Sequence, residues 1–358
     1  MTKERQQYLQ SIANTIADYR KGEIEAPTPD HVNRWVNQFE DKVQLPLLRE
    51  LDHVLKRTYF SKQRVMAFLR KLIYAENLTG NNPQEFWRSA NFLDIQGGGD
   101  SQRDMLKLFS EVLRGEFSFG IEDCGQRDDV FIYLDDGLFT GNRVRQDIEK
   151  WVINTAPAQA KVYVVYIALH KSGFHYAKKY IRDAIQKARK NIDIEWRPAL
   201  AIELENRIFN KKENKEYSDS SDVLLPTFIP DDPAVKNYVE SMKRKPKLRP
   251  SGNPGTAKLF SSDEAKILLE QEFLKTGVRI RQRCSNLMVR HRPLGYMKLE
   301  TLGFGSLIVT YRNCPNNAPL ALWAGDPWYP LFPRVTNTQT AIRRTIRRKI
   351  SGLTEEDL

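Results

Sequence analysis

Two adjacent carboxylates precede a short glycine loop near the middle of the chain. Asp135 and Asp136 follow the apolar run Val130–Leu134, and the loop after them contains Thr140 and Gly141. Five consecutive apolar residues favour a strand that is covered on both faces, as in parallel sheets. Adjacent carboxylates can accept hydrogen bonds from vicinal hydroxyls or hold a divalent cation. The spacing therefore predicts a polar site at the carboxyl end of this strand.

The loop after the carboxylates has the composition of an anion-binding turn. Its glycines permit backbone angles that other residues resist, and a helix predicted over Asn142–Ile153 directs its first N–H groups into the loop. A phosphate in the loop and a diol at the carboxylates together describe a ribose 5-phosphate. The candidate binding residues are Gly137, Leu138, Phe139, Thr140, Gly141, Asn142 and Arg143.

A second glycine loop follows an earlier predicted strand, Phe92–Ile95. Three glycines let a backbone approach an anion closely, and Arg103 adds positive charge. A flexible surface turn is the alternative. The candidate binding residues of this loop are Gln96, Gly97, Gly98, Gly99, Asp100 and Ser101.

The first loop resembles the phosphoribosyl-diphosphate loop of type I phosphoribosyltransferases. The resemblance lies in the order of an apolar run, Asp135-Asp136, three residues and Thr140-Gly141. It implies that the carboxylates face the ribose 2- and 3-hydroxyls and that the loop holds the 5-phosphate. It also implies that the earlier glycine loop binds pyrophosphate. We expect phosphoribosyl diphosphate as the ligand, with Mg²⁺ as its cofactor.

Two features depart from that family's pattern. Many members have a second Ser or Thr where this chain has Arg143, although Arg can also bind phosphate as a planar charged donor. The segment Glu116–Asp129 is short for the further strand and long catalytic loop of the family. This difference leaves open transfer, exchange or cleavage of a glycosidic bond, or ligand sensing alone.

Two distal segments resemble a narrower group, the phosphoribosyltransferase-like effectors of bacterial conflict systems. The segments are Gly303–Asn317 and Pro330–Arg334, and the whole resemblance spans residues 35–334. Members of this group carry an N-terminal winged-helix segment, and some occur in retrons beside a reverse transcriptase. In the first segment, the amides of Asn313, Asn316 and Asn317 could hydrogen-bond a base.

The expected fold class is α/β, with a phosphoribosyltransferase-like parallel sheet flanked by helices. The expected domains are a helical, winged-helix-like domain over residues 1–85, an α/β domain over 86–338 with an insertion around 205–300, and a basic tail over 339–358. The expected strands of the sheet are Phe92–Ile95, Val130–Leu134, Lys161–Leu169 and Asp193–Ala201, with a late strand, Ser306–Tyr311, returning to it. The expected helices of this domain include Asp104–Leu113, Asn142–Ile153, Phe174–Lys190 and Asp263–Thr276, the last of them ended by Gly277.

His170 follows the predicted strand Lys161–Leu169. Ligands of open α/β sheets bind at the carboxyl ends of strands, so His170 is expected beside the ribose site. Its pKa near neutrality would suit a proton acceptor, and Asp135, Asp136 and His170 are therefore the candidate catalytic residues. A purely structural role for the histidine is the alternative.

The formal net charge of +11 points to a polyanionic partner. Basic residues cluster in three places, and the tail cluster contains Arg343, Arg344, Arg347 and Arg348. We expect these arginines to contact nucleic acid or a protein that carries it. In a retron, that partner would be the reverse transcriptase with its branched DNA product. A homo-oligomer is a further expectation.

The sequence contains no apolar run of about 18 residues, so no membrane span and no membrane partner is expected. Its three cysteines and five histidines lack metal-ligand spacing, and no protein metal cluster is expected. The composition favours a cytoplasmic protein. Three functions remain open: a toxic effector that modifies or depletes a nucleotide or nucleic acid, a non-catalytic DNA-binding regulator, and a scaffold for a reverse transcriptase and its DNA.

Overall fold

A computed structural model describes residues 2–204, 222–249 and 258–334. Within this part of the chain there are two compact units, one made of residues 2–63 and 204–334 and the other of residues 64–203. The units divide the chain at other positions than the domains predicted from the sequence. The predicted tail 339–358, with Arg343, Arg344, Arg347 and Arg348, lies outside the described residues.

Helices and short strands alternate along the described chain. The helices are α1 (Lys3–Thr15), α2 (Pro29–Val36), α3 (Asp41–Thr58), α4 (Lys62–Ile73), α5 (Glu76–Thr79), α6 (Pro83–Ser89), α7 (Ser101–Phe117), α8 (Asn142–Asn154), α9 (Lys171–Ala188), α10 (Pro233–Glu240), α11 (Asp263–Arg283) and α12 (Leu320–Trp323), with a 3-10 turn at Ile121–Asp123. The strands are β1 (Tyr59–Phe60), β2 (Asn91–Phe92), β3 (Val130–Leu138), β4 (Gln159–His170), β5 (Asn191–Leu204), β6 (His291–Arg292), β7 (Gly295–Tyr296) and β8 (Val309–Thr310).

The unit of residues 64–203 is built on a sheet with the strand order β2-β3-β4-β5. Strands β2 and β4 both pair with β3 in parallel, and Asp135 lies opposite Tyr166 on β4. Helices α8 and α9 pack against each other, and their apolar side chains share a buried core with Tyr133, Val162 and Val164 of the sheet. The predicted α/β class, with a parallel sheet flanked by helices, is confirmed.

The unit of residues 2–63 and 204–334 is mainly helical. Helices α1, α2 and α3 pack together, and α11 packs on both α3 and α12. Strand β1 pairs with β8 in parallel, with Tyr59 opposite Val309. The expectation that Ser306–Tyr311 returns to the main sheet is therefore wrong, because its two paired residues join β1 instead.

The winged-helix segment stays a prediction. A wing is an antiparallel hairpin beside the helices, whereas β1, which lies between α3 and α4, pairs in parallel with a strand about 250 positions later. The described part of the chain contains no helix that is long and apolar enough to cross a membrane.

Candidate functional site

The two predicted carboxylates lie inside β3, because the strand continues through Gly137 to Leu138. Successive side chains of a strand point to opposite faces. Asp135 is buried, whereas Asp136 is half-buried. The backbone N–H of Asp136 donates to Oδ1 of Asp135 at 2.8 Å. The pair therefore offers one sheltered and one accessible carboxylate, and its role at a ribose stays a prediction.

The predicted phosphate loop connects β3 directly to the N-terminus of α8. Gly141 is the N-cap residue and has a left-handed backbone with φ of 70°, which favours glycine. It has no side chain to accept hydrogen bonds from the first turn, and the N–H of Asn142 instead points to Oγ1 of Thr140 at 3.4 Å. A helix N-terminus without a side-chain cap suits an incoming anion.

The loop packs tightly against the beginning of α9. A Cβ atom built on Gly173 would lie 1.9 Å from the carbonyl oxygen of Phe139, and one on Gly141 would lie 2.1 Å from the carbonyl oxygen of Gly173. Both positions thus require glycine for their close approach. The ends of β3 and β4 are held together at this point, as expected for neighbouring parallel strands.

His170 ends β4 and is completely buried. Its Nδ1 atom lies 2.7 Å from the Ser172 hydroxyl, one residue before Gly173. This contact links the imidazole to the turn that contains Gly173. The catalytic role of His170 stays a prediction. Its burial and its contact with Ser172 describe a residue that supports the turn.

The second glycine loop is held by two glutamines, Gln96 at its beginning and Gln102 in the first turn of α7. Oε1 of Gln102 accepts hydrogen bonds from the N–H groups of Ile95 and Gln96, both at 2.9 Å. In return, Oε1 of Gln96 accepts from the N–H of Gln102 at 3.2 Å, and its Nε2 donates to the hydroxyl of Ser101 at 2.8 Å. These reciprocal bonds make the loop an ordered turn, with the left-handed residue Gly99 at its tip.

Asp147 joins the two predicted loops. This buried residue of α8 accepts a hydrogen bond from the N–H of Gly97 at 3.1 Å and another from the Tyr133 hydroxyl at 3.4 Å. Arg143, one helical turn earlier, places Nη1 3.9 Å from Oδ1 of Asp147. Burial raises the pKa of the Asp147 carboxyl, against the lowering effects of the Gly97 hydrogen bond and the Arg143 charge.

Arg143 lies against the glycine loop and remains accessible. A Cβ atom on Gly98 would lie 3.0 Å from Nη2 of Arg143, so the absence of a side chain at Gly98 makes room for the guanidinium. The Arg143 side chain is 40% exposed. Its donors are therefore available to an anion between the two loops, which the structure brings together from distant parts of the sequence.

Three residues of this site were not anticipated from the sequence. Asp147 and Gln102 carry the contacts between and within the loops, and Gly173 permits the tight turn. Asp147 could have been found from its position one helical turn after Arg143, on the same helix face. Gln102 and Gly173 give no comparable sequence signal, because their partners are set by the folded backbone.

The three asparagines predicted to contact a base lie in the other unit. Asn313 pairs with Thr310 in a short bridge, and the carbonyl of Asn316 accepts from the N–H of Tyr296 at 2.7 Å. Asn317 is buried and donates through Nδ2 to the carbonyl of Tyr296 at 3.1 Å. Their role in base binding stays a prediction.

Asp135 and Asp136, the acidic pair of β3, are the candidate ligands for a divalent cation. Across residues 2–204, 222–249 and 258–334, no group of three or more His, Cys, Asp or Glu side chains has the arrangement of a metal site. Mg²⁺ commonly uses only one or two protein carboxylates and takes its other ligands from water and substrate phosphate. The accessible carboxylate of Asp136 suits that mode of binding, and Mg²⁺ at the acidic pair stays a prediction.

The parallel sheet, the flanking helices and the converging loops define a phosphoribosyltransferase-like protein. The PRTase-CE family model matches residues 32–334, and the chain therefore belongs to this phosphoribosyltransferase-like family. Comparison with curated proteins gives no significant match, and comparison with solved structures gives none either.

Proposed function

We propose that the chain binds phosphoribosyl diphosphate, or a close relative with a ribose 5-phosphate, and carries out phosphoribosyltransferase-type chemistry. One observation carries this proposal: the two glycine loops meet at Arg143 and Asp147, although Gly97 and Asp147 are 50 positions apart in the sequence. Two adjoining anion-binding loops suit a ligand with phosphate at both ends of a ribose.

Each part of the site then has a distinct role. The loop Phe139–Gly141 and the first N–H groups of α8 hold the 5-phosphate. The glycine loop and Arg143 face the diphosphate, where a guanidinium can bind two oxygens at once. Asp136, the more accessible carboxylate, accepts from the ribose hydroxyls. Asp136 would hold Mg²⁺ together with water and oxygens of the ligand.

The chemical demand of such a site is stabilisation of positive charge at ribose C1. In transfer, the bond from C1 to the leaving oxygen breaks and a bond from C1 to the acceptor forms, through an oxocarbenium-like state. Fixed carboxylates near the ribose stabilise that state electrostatically. We assign this effect to Asp135 and Asp136, and the acceptor to a nucleotide or nucleic acid.

We further propose that the chain is a toxic effector of an antiphage defence system, associated with a retron. The support is its membership of the PRTase-CE family and the resemblance of residues 303–317 and 330–334 to conflict-system effectors. The proposed partner is a reverse transcriptase with its branched DNA, contacted by the arginines at positions 343, 344, 347 and 348.

A ligand-responsive regulator is the second candidate. It would use the same ribose-phosphate site without transfer chemistry. The observation that favours it is the complete burial of His170, because the imidazole has no exposed surface through which to reach a ligand in the loop. The two candidates predict the same ligand and differ in whether ligand turnover occurs.

Titration calorimetry with phosphoribosyl diphosphate tests the site. We expect binding that strengthens with Mg²⁺ and that falls about 100-fold or more in Asp135→Asn/Asp136→Asn, because two charged hydrogen-bond acceptors are lost. The matched control is Asp128→Asn/Asp129→Asn, an exposed acidic pair at the other end of the same strand region. Absence of binding at millimolar ligand, or equal losses in both variants, would contradict the proposal.

Growth after induced expression tests the effector role. We expect the unmodified chain and Asp128→Asn/Asp129→Asn to arrest growth, and Asp135→Ala/Asp136→Ala to relieve the arrest. Circular dichroism and thermal unfolding would show that each variant is folded. A folded Asp135→Ala/Asp136→Ala variant that arrests growth as strongly as the unmodified chain would contradict the enzymatic explanation.

A further inference from the structure

The solvent face of α9 combines positive charge with exposed aromatic rings. Five of its 18 residues are Lys or Arg, and Asp183 is its one acidic residue. Its buried side is formed by Gly173, Ala177, Ile181 and Ala184. The lysines and tyrosines therefore lie away from the core, on a helix that contributed no basic cluster to the sequence analysis.

Two tyrosines on this face form a ridge. Tyr176 and Tyr180 are one helical turn apart, and their ring centroids are separated by 4.7 Å. Tyr180 is 41% exposed, so its ring is accessible on the surface of the helix. A solvated basic helix would explain the lysines, but it would not explain a packed pair of aromatic rings among them, one of which is exposed.

The neighbouring helix supports the ridge. The guanidinium carbon of Arg145 on α8 lies 5.8 Å from the ring centroid of Tyr176 and 5.6 Å from that of Tyr180. Arg145 is itself fixed by Glu149 at 2.6 Å. Nζ of Lys179 lies 5.7 Å from the Tyr180 ring. The two rings are thus held in place between cations, and part of the Tyr180 side chain remains accessible to solvent.

We propose that this surface, the α9 ridge formed by Arg145, Tyr176, Lys179, Tyr180 and Lys187, binds single-stranded nucleic acid. Aromatic side chains within a basic surface are the arrangement that binds unpaired strands, since bases stack on the rings while cations neutralise phosphates. In a duplex, the bases are stacked on each other and cannot use the rings. An acidic peptide would use the lysines but not the stacking faces.

The ridge is separate from the ribose-phosphate site and from the predicted tail contact. None of its five residues has a role in the proposed donor site, so its binding can be measured without turnover. Arg145 lies two residues after Arg143, so the ridge begins in the first turn of the helix that carries the phosphate loop. A strand on the ridge would pass close to that loop.

Fluorescence anisotropy with the full chain tests the charges. The probe is a labelled oligonucleotide of about 20 thymidines, compared with a duplex of the same length. We expect Lys179→Glu/Lys187→Glu to weaken binding about tenfold or more at low salt, since two phosphate contacts become repulsive. The matched control is Lys71→Glu/Lys107→Glu, which makes the same charge change at exposed positions on α4 and α7. We expect less than about a twofold effect there.

Substitutions at Tyr180 test the stacking. We expect Tyr180→Ala to weaken binding of the single strand about tenfold and Tyr180→Trp to preserve it, because stacking requires a ring rather than a hydroxyl. Asp183→Asn should tighten binding about twofold by removing the one carboxylate of the helix. Thermal unfolding of each variant checks that the helix is intact, and Tyr180→Phe keeps the ring if Tyr180→Ala fails to fold.

Three outcomes would overturn the proposal. The first is equal affinity for the single strand and the duplex, which would show contact with phosphates alone. The second is an equal loss in Lys179→Glu/Lys187→Glu and in its control, which would reduce the effect to net charge. The third is unchanged binding in Tyr180→Ala together with displacement of the strand by polyglutamate, which would make the face a general polyanion surface.

Discussion

The two units bury carboxylates for different purposes. In the mainly helical unit, Glu50 is buried and accepts hydrogen bonds from the N–H of Ser261 at 3.0 Å and from its hydroxyl. Asp222 likewise accepts from the N–H groups of Lys258 and Leu259. Each carboxylate fixes a backbone segment that is distant in the sequence. These buried charges are structural ties.

In the α/β unit, the buried carboxylate of Asp147 also fixes a distant backbone segment at Gly97. The difference is its neighbour, since Arg143 contacts Asp147 and yet remains 40% exposed. Burial alone therefore does not distinguish a site from a structural tie. Asp147 differs from Glu50 in combining a contact to the glycine loop with an accessible guanidinium, and the following substitutions test whether that difference matters for binding.

The largest effect is expected from Gly173→Ala. The added methyl would clash with the carbonyl of Phe139, so the loop after β3 would have to move. We expect a loss of at least about 3 kcal/mol in the free energy of unfolding and the loss of measurable donor binding. Urea unfolding and calorimetry measure the two effects. A stable variant with unchanged binding would show that the loop tolerates displacement.

Glu50→Ala should destabilise the chain without touching the site. Removing the buried carboxylate deletes its charge-assisted hydrogen bonds to the N–H and hydroxyl of Ser261, which costs about 2 kcal/mol. We expect the transition in urea to shift while the affinity for phosphoribosyl diphosphate stays unchanged. If the folded variant bound phosphoribosyl diphosphate less tightly, Glu50 would not be purely structural, and the proposed difference between Glu50 and Asp147 would be wrong.

Asp147→Asn should change how the free energy of unfolding depends on pH. The folded-state pKa of Asp147 is raised by burial, so its protonated form is favoured by folding. The corresponding stability is fully present below the ordinary pKa of 3.8 and is lost as pH rises through the folded value. We expect the variant to lose this part of the pH dependence and to bind donor less tightly, since Arg143 loses its anchor. Unfolding curves over the acidic range, paired with calorimetry, measure both.

The smallest effect is expected from Gly115→Ala. Gly115 lies in α7, and a Cβ atom there would have no neighbour within 4 Å. Alanine lowers the conformational entropy of the unfolded chain and suits a helix interior, so we expect a gain of about 0.5–1 kcal/mol. Thermal unfolding measures it. The comparison of Gly115→Ala with Gly173→Ala shows whether the cost of replacing a glycine depends on how tightly its surroundings are packed.

The sequence predicted the central elements of the site well, because they depend on local patterns. The apolar runs before Asp135 and His170 predicted β3 and β4, and the glycine loop predicted the start of α8 at Asn142. Apolar periodicity and helix N-terminal chemistry act within a few residues, and both are visible without knowledge of the fold.

Features that depend on distant contacts were missed. Gly277 was expected to end a helix, but α11 continues through it to Arg283. The reason is spatial, because a Cβ atom at Gly277 would lie 2.6 Å from the carbonyl oxygen of Pro293. Glycine there permits close packing rather than a turn. The pairing of Val309 with Tyr59 was missed for the same reason, since only the folded chain brings those segments together.

The division of the helical unit between residues 2–63 and 204–334 has a consequence for biosynthesis. The indole N–H of Trp35 donates to the carbonyl of Ala321, 286 positions later. On the ribosome, the first segment must therefore wait for the last one, whereas strands β2 to β4 and their helices are all made in one continuous stretch. We expect the unit of residues 64–203 to fold first, while the α1–α3 segment stays without its packing partners until residues 204–334 are made, so that this early segment is a candidate for chaperone binding.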